Sequence, residues 1–201
     1  MTENLRLGGS SIITLRPQDS NVSSDWEVPA VQTSGTTAWA VDTKHIYSTG
    51  STTYGNYYSW YTATAGTGTS SMSSASTSDP TNTTDSICPK GWRLPDGGTS
   101  PTKSWYALDR ALGGSGTNRT DATQLDKYLN SPYYFGYSGL YNYNGGVNKQ
   151  GSSGYWWSRS AGTTAGGAYN FGLSSTDSFV RFQYSGDSVA YGFSVRCVNS
   201  E

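Results

Sequence analysis

Helical periodicity is confined to one stretch of this chain of 201 residues, and that restriction limits the folds open to it. Between residues 101 and 132, apolar side chains recur at the three- and four-residue spacing of amphipathic helices. Elsewhere the apolar stretches are short and are separated by Gly, Ser, Thr and Asn, as in Ile12–Leu15 and Tyr57–Tyr61. The pattern predicts a single α+β domain rich in short strands and ordered loops.

Two helices are predicted between residues 101 and 132. Their apolar faces carry Trp105, Leu108 and Leu112 in the first, and Ala122, Leu125 and Leu129 in the second. Pro101 suits the first turn of the first helix, and Gly113 ends it. Thr120 or Asp121 caps the second helix, which ends before Pro132.

Composition separates the classes of protein to which the chain could belong. Aromatic residues make up 14% of the chain, which favours a packed core over disorder. Residues 63–86 contain none of these aromatics and are dominated by Ser, Thr, Gly and Ala, which predicts a flexible surface loop or a spacer within the domain. The net charge of −1 argues against nucleic acid as a partner. No apolar run approaches the roughly 18 residues of a membrane span, so membrane insertion is not expected.

The last third of the chain concentrates the aromatic residues. All five Phe and nine of the 16 Tyr follow residue 132, where they alternate with Ser, Gly, Asn and Thr. Tyrosine among small polar residues is typical of antibody-like contact surfaces. The chain ends in a predicted half-buried strand, with Phe193, Val195 and Cys197 facing inward and Ser194 and Arg196 facing outward.

The two cysteines, Cys88 and Cys197, are too far apart for a CxxC redox motif or a zinc knuckle. Two interpretations of them remain open on the sequence alone. They are either two buried free thiols or one disulfide that joins the middle of the chain to its last strand. A disulfide closing a loop of about 100 residues contributes roughly 4 to 5 kcal/mol in the chain-entropy model and indicates an oxidising location.

Four motifs occur in order along the chain and carry a family resemblance. They are the run Ile87-Cys88-Pro89-Lys90-Gly91-Trp92-Arg93-Leu94-Pro95, the predicted helix of Trp105 and Leu108, the segment Gly154–Ser160 and the ending Gly192–Cys197, and the opening Met1–Leu7 adds to them. Together they resemble the Fibrobacter succinogenes major paralogous domain. That domain is related to the C-type lectin fold of formylglycine-generating enzymes and of variable proteins from diversity-generating retroelements. The opening looks like an early segment of that family without its preceding Trp, which implies that residues before Met1, and with them an export signal, have been removed.

The resemblance implies a C-type lectin fold over residues 1–201, with two helices flanking twisted antiparallel sheets and long loops. It also implies that Cys88 pairs with Cys197. Similarity to retroelement-diversified proteins further implies that residues 133–197 form a variable ligand-binding region, with Gly154–Ser160 and Gly192–Cys197 as its fixed frame. The expected protein is a monomeric receptor or adhesin that is extracellular, on a cell surface or on a virion. It would bind a macromolecular ligand, either a protein or a surface glycan, without a cofactor.

The predicted contact residues lie within that region. They are Tyr137, Tyr141, Tyr143, Tyr155, Trp157, Arg159, Tyr169, Phe171, Phe179, Arg181, Tyr184, Asp187 and Tyr191. Trp156 is assigned to the core and Trp157 to the surface, where it would share a face with Arg159 as an interface hot spot. A structural ion pair is the alternative for Arg159. The stripe of Tyr137, Tyr141 and Tyr143 fits either the core or the contact surface.

The residues provide little support for catalysis or metal binding. The signatures of calcium-dependent lectins are missing, and Asp177 and Asp187 are predicted to be solvated loop residues. Formylglycine-generating chemistry requires reactive cysteines close together, and only Cys197 lies in the C-terminal half. His45, the only histidine, is predicted to be a surface or capping residue.

Three alternatives to the diversified receptor remain open on the sequence. The first is a non-diversified accessory domain at the cell surface that binds carbohydrate or protein. The second is a degenerate relative of the formylglycine-generating enzymes, which clustered carboxylates around an aromatic cleft would favour. The third is a purely structural module, whose aromatic residues would be mostly buried.

Overall fold

The computed structural model describes residues 3–130 and 132–200, without the side chains of residues 183 and 185. Helices account for 10% of the chain and strands for 28%, so the α+β class dominated by sheet is confirmed. The helices are α1 Trp60–Ala63, α2 Ser104–Ala111 and α3 Ala122–Leu129. The strands are β1 Ile13–Leu15, β2 Trp26–Val28, β3 Ile46–Ser48, β4 Asn56–Tyr58, β5 Trp92–Arg93, β6 Arg119–Thr120, β7 Leu140–Tyr141, β8 Val147–Asn148, β9 Ser153–Ala161, β10 Gly167–Ser174, β11 Phe179–Ser188 and β12 Val198–Asn199.

A four-stranded antiparallel sheet in the order β6-β11-β10-β9 forms the centre of the molecule. The remaining strands pair two by two, as β1-β2, β3-β4, β5-β12 and β7-β8. Strands β9, β10 and β11 follow each other as a meander joined by short turns. Because side chains alternate along a strand, this sheet presents two faces with different neighbours.

One face of the central sheet packs against the two longer helices. Trp156, Phe171 and Phe182 lie in a buried cluster with Trp105 of α2 and Leu125 of α3. Both predicted helices are confirmed, and the Asp121 side chain caps α3 by accepting a hydrogen bond from the Gln124 amide. Helix α2 begins at Ser104, so the expectation that Pro101 lies in its first turn was wrong. Leu125 is buried as expected, whereas Ala122 is exposed because α3 turns Gln124 and Tyr128 inward instead.

The other face belongs to a second core that the N-terminal half of the chain completes. Ile46 and Trp60 are buried there beside Trp157 and Phe193. The disulfide between Cys88 and Cys197 lies in the same core and is confirmed. It ties the segment before β5 to the segment before β12, two strands that also pair with each other.

Two expectations about segments were wrong in part. Residues 63–86 contain Ser74, Thr83 and Asp85 as buried side chains, so the segment is not a surface loop throughout. Residues 192–197 are buried on both sides, because Ser194 and Arg196 face other polar partners rather than water. Regular pairing at this end of the chain is confined to Val198–Asn199.

Candidate functional site

A cross-strand row on the central sheet defines the floor of a depression. Gly172 of β10 pairs with Tyr155 of β9 on one side and with Arg181 of β11 on the other. Gly172 has no side chain, so a gap of about 120 Å³ remains between its neighbours. The lining residues are Lys149, Tyr155, Asn170, Gly172, Phe179, Arg181, Tyr184 and Asp187.

Irregular pairing aims three side chains of β11 into this depression. Strict alternation would place Arg181 and Tyr184 on opposite faces of the strand. The register between β10 and β11 shifts twice, once between Gly172 and Asn170 and once between Asn170 and Ala168. Each shift adds one residue to β11, and so Arg181, Tyr184 and Asp187 all line the same side.

The carboxylate of Asp187 is half-buried beside the depression. The Asn170 side-chain amide donates a hydrogen bond to Asp187 Oδ2 at 3.0 Å and another to the Tyr184 carbonyl at 3.3 Å. Burial raises the pKa of Asp187, while the hydrogen bond from Asn170 and the charges of Lys149 and Arg181 oppose that rise. Asp187 therefore lies in a strand and is not the solvated loop residue expected from the sequence.

Two cations lie at the edge of the depression on aromatic supports. Lys149 Nζ donates a hydrogen bond to the Tyr155 hydroxyl at 3.2 Å and lies 5.5 Å from the centre of that ring. The Arg181 guanidinium lies 4.3 Å from the centre of the Phe179 ring and 5.5 Å from that of Tyr184. Both cations are exposed, and these ring contacts limit the orientations of their side chains.

Aromatic side chains extend the depression into a larger surface. Tyr155 stacks on Phe193, Phe193 stacks on Tyr191, and the Tyr191 ring meets Tyr143 edge to face at 5.1 Å. Tyr143 is 41% exposed and Tyr184 is 38% exposed. We use the name concave face for the residues lining the depression together with Tyr143 and Tyr191.

The concave face brings together more than half of the predicted contact residues. They are Tyr143, Tyr155, Phe179, Arg181, Tyr184, Asp187 and Tyr191. Sequence reasoning missed Lys149, Asn170 and Gly172. A glycine inside a strand often marks the close approach of another group, so Gly172 carried a usable signal. Lys149 is far from Arg181 in sequence, so no sequence signal placed these two cations at one site.

The expected hot spot of Trp157 and Arg159 does not form. Trp157 is 0% exposed, packs against Phe193, and its indole N–H donates to the Tyr58 carbonyl at 2.7 Å, so its assignment to the surface was wrong. Arg159 instead forms an ion pair with Asp96 at 2.7 Å. The chain fills both faces of β9 with large side chains because each face has its own core.

The remaining predicted contact residues are packed inside the molecule or away from the concave face. Tyr141 is buried against Trp39, and Tyr169 and Phe171 are buried on β10. Tyr137 is half-buried and packs against the helix-side core. The predicted tyrosine stripe is therefore divided, since only Tyr143 of its members reaches the concave face.

The described residues contain no group of three or more His, Cys, Asp and Glu side chains arranged to hold a metal ion. His45 stacks on Trp39 outside the depression, and burial lowers its pKa. None of the described helices has the length and apolar character needed to cross a membrane.

Comparison of the chain with models of known families, with curated proteins and with solved structures found no match. The geometry of the concave face and the motifs of the sequence therefore carry the functional argument.

Proposed function

We propose that this protein is a C-type-lectin-type binding module that recognises another macromolecule, a protein or a surface glycan, through its concave face. The observation that carries the proposal is the meeting of Phe179, Arg181 and Tyr184 around one depression, beside which Tyr191 interacts with Asp187 and packs against Tyr143. Aromatic and arginine side chains on a rigid support are typical of interface hot spots.

The support beneath the concave face favours binding without a large rearrangement. Strands β9, β10 and β11 are covered by a packed core on the helix side, and Trp157 and Phe193 fill the space beside Tyr155. Side chains held by such a frame lose little conformational entropy when a ligand is bound. The proposed affinity therefore comes from burying the exposed Tyr143 and Tyr184 rings.

The composition of the depression favours binding over catalysis. Asp187 is the one carboxylate among its lining residues, whereas glycoside hydrolysis commonly uses a pair of carboxylates. The single histidine lies elsewhere, against Trp39. This composition is the acid-poor aromatic surface expected of a binding module, and it gives no support to a degenerate formylglycine-generating enzyme.

Display of random peptides on phage, followed by selection on the immobilised protein, tests the proposal. Gly172→Gln places a side chain in the depression, and the Cβ that it adds meets Phe179 and Tyr155 at ordinary contact distances of 3.4 to 3.6 Å. We expect selected peptides to bind this variant at least tenfold more weakly than the wild-type protein.

Two matched variants serve as controls for that selection. Gly172→Ala adds a single methyl group, and Gly9→Gln makes the same chemical change at a position with open space around it. Both should retain binding within about twofold of the wild-type protein. Equal binding by Gly172→Gln would show that the selected peptides bind elsewhere and would reject the concave face as the site.

Retroelement diversification of the concave face is the second part of the proposal. It predicts variation at exposed positions such as Tyr143, Arg181 and Tyr184, and constancy at buried positions such as Trp156 and Phe171. Sequencing the DNA around the gene tests it. A near-copy of the 3′ coding region that carries adenine at the codons of the exposed positions would support diversification. A near-copy with adenine mainly at the buried positions, or no near-copy, would contradict it.

A purely structural module is the second candidate, and one observation favours it. Many aromatic residues after residue 132 are buried, among them Phe135, Tyr169, Phe182 and Phe193. This candidate predicts that selection on the wild-type protein enriches no peptide above selection on Gly172→Gln. This candidate leaves the exposed Tyr134, Tyr143 and Tyr184 without a role.

A further inference from the structure

We propose that the depression of the concave face recognises a carboxylate group of the ligand, which lies above Gly172 between Lys149 and Arg181. The inference rests on the proposed function and adds the chemical class of the group recognised. Aspartate and glutamate side chains of a protein ligand carry this group.

Positive charge exceeds negative charge around the depression. Its lining residues include two cations, Lys149 and Arg181, and one acid, Asp187. Among the described residues, neither cation has a carboxylate oxygen within 4.0 Å, whereas Arg119 and Arg159 each pair with an aspartate. The depression therefore has an excess of positive charge that a ligand carboxylate would balance.

The two cations flank Gly172. Lys149 Nζ lies at the Tyr155 hydroxyl, which belongs to the strand on one side of Gly172, and Arg181 belongs to the strand on the other side. A carboxylate between them can accept charge-assisted hydrogen bonds from both. Because the Arg181 guanidinium rests on the Phe179 ring, the N–H groups at its edge remain able to donate.

Asp187 is more deeply buried than the two cations. The Asn170 amide holds this carboxylate at 3.0 Å in a half-buried place, while Lys149 and Arg181 are exposed. A ligand approaching from solvent therefore meets the cations first. Asp187 opposes a bound carboxylate by repulsion, which makes its removal an informative test.

N-acetyl-glutamate N-methylamide and its glutamine isostere are the probes, and shifts of backbone amide resonances measure their binding. We expect the glutamate probe to move the resonances of Asn170, Gly172 and Arg181 and to bind at least tenfold more tightly than the glutamine probe. A preference below threefold would overturn the inference. If the preference is below threefold but neither probe binds to Gly172→Gln, the depression is still supported as a binding site.

Charge variants locate the group that binds the probe. Lys149→Gln combined with Arg181→Gln should abolish the preference for glutamate. Lys44→Gln is the matched control, since Lys44 also lies on an aromatic ring, 3.9 Å from the centre of Trp26, outside the depression. Glutamate binding that survives the double substitution would overturn the inference.

Removal of the opposing acid gives an effect of the opposite sign. Asp187→Asn should tighten binding of the glutamate probe by about threefold or more and leave the glutamine probe unchanged. Tyr191, Lys149, Arg181 and Asn170 are the titratable or polar groups facing Asp187 and stay in place in this variant. Weaker glutamate binding by Asp187→Asn would place the probe away from this carboxylate and contradict the proposed position.

Discussion

Asp109 is the residue whose side chain does most to hold the helices on the central sheet. It is 0% exposed and accepts hydrogen bonds from the Arg119 guanidinium, from the Tyr128 hydroxyl at 2.8 Å and from the Gly116 amide at 2.9 Å. These partners lie on β6, on α3 and in the loop after α2. One carboxylate therefore joins both helices to the edge of the sheet.

Asp109→Asn should lower the free energy of unfolding by about 3 kcal/mol, because it removes the closer and buried one of the two aspartates that pair with the Arg119 charge in a largely buried place. Urea denaturation measures this difference. Asp177→Asn, at an exposed position of the β10–β11 turn, is the control and should change it by less than about 0.5 kcal/mol. A loss below 1 kcal/mol in Asp109→Asn would contradict the role given to this carboxylate.

Asp187 gives a prediction about pH. Because burial raises its pKa above the ordinary value of 3.8, the folded protein binds this proton more tightly than the unfolded chain does. The contribution of Asp187 to the free energy of unfolding therefore falls as pH rises through the folded-state pKa. Asp187→Asn should be at least as stable as the wild-type protein at pH 7, with the difference shrinking toward pH 3.8. Urea denaturation across this range checks it, and a destabilised variant at pH 7 would contradict it.

At the scale of elements, the disulfide lies beside the pairing of β5 with β12. Cys88 and Cys197 are separated by 109 residues in sequence, and their bond joins the two ends of that loop in the core. All four strands of the central sheet lie within the same loop. The cross-link therefore restricts the unfolded chain over more than half its length.

Replacing both cysteines by alanine should lower the free energy of unfolding by roughly 4 to 5 kcal/mol, the value that the chain-entropy model gives for a loop of this size. Urea denaturation of the double variant, beside the wild-type protein with and without a reductant, measures the loss. The reduced wild-type protein should resemble the double variant. A loss below 1 kcal/mol would contradict a stabilisation that comes from restricting the unfolded chain.

Some of these elements could be predicted from the sequence and others could not. Helices α2 and α3 follow from apolar spacing, because each helix packs one side against the central sheet and exposes its opposite side to water. The exposure of Trp157 could not be judged from alternation, because both faces of β9 are buried. Nor could alternation place Arg181, Tyr184 and Asp187 on one side, because two register shifts in β11 change its phase.

At the scale of the whole molecule, two packed cores fix the central sheet, and part of one sheet face remains open to solvent. The helix-side core covers the sheet from one direction, and the N-terminal half covers the rest of the opposite face. Gly172 and the shifted strand β11 leave the depression where that cover ends. The concave face thus combines a rigid base with exposed aromatic and cationic side chains.

The tightest peptide selected on the wild-type protein is the sharpest probe of the concave face, and shifts of backbone amide resonances locate where it binds. We expect the largest shifts to cluster at Asn170, Gly172 and Arg181 on the concave face. A cluster at the groove lined by Trp105, Leu108 and Phe135, on the helix side of the molecule, would contradict this expectation.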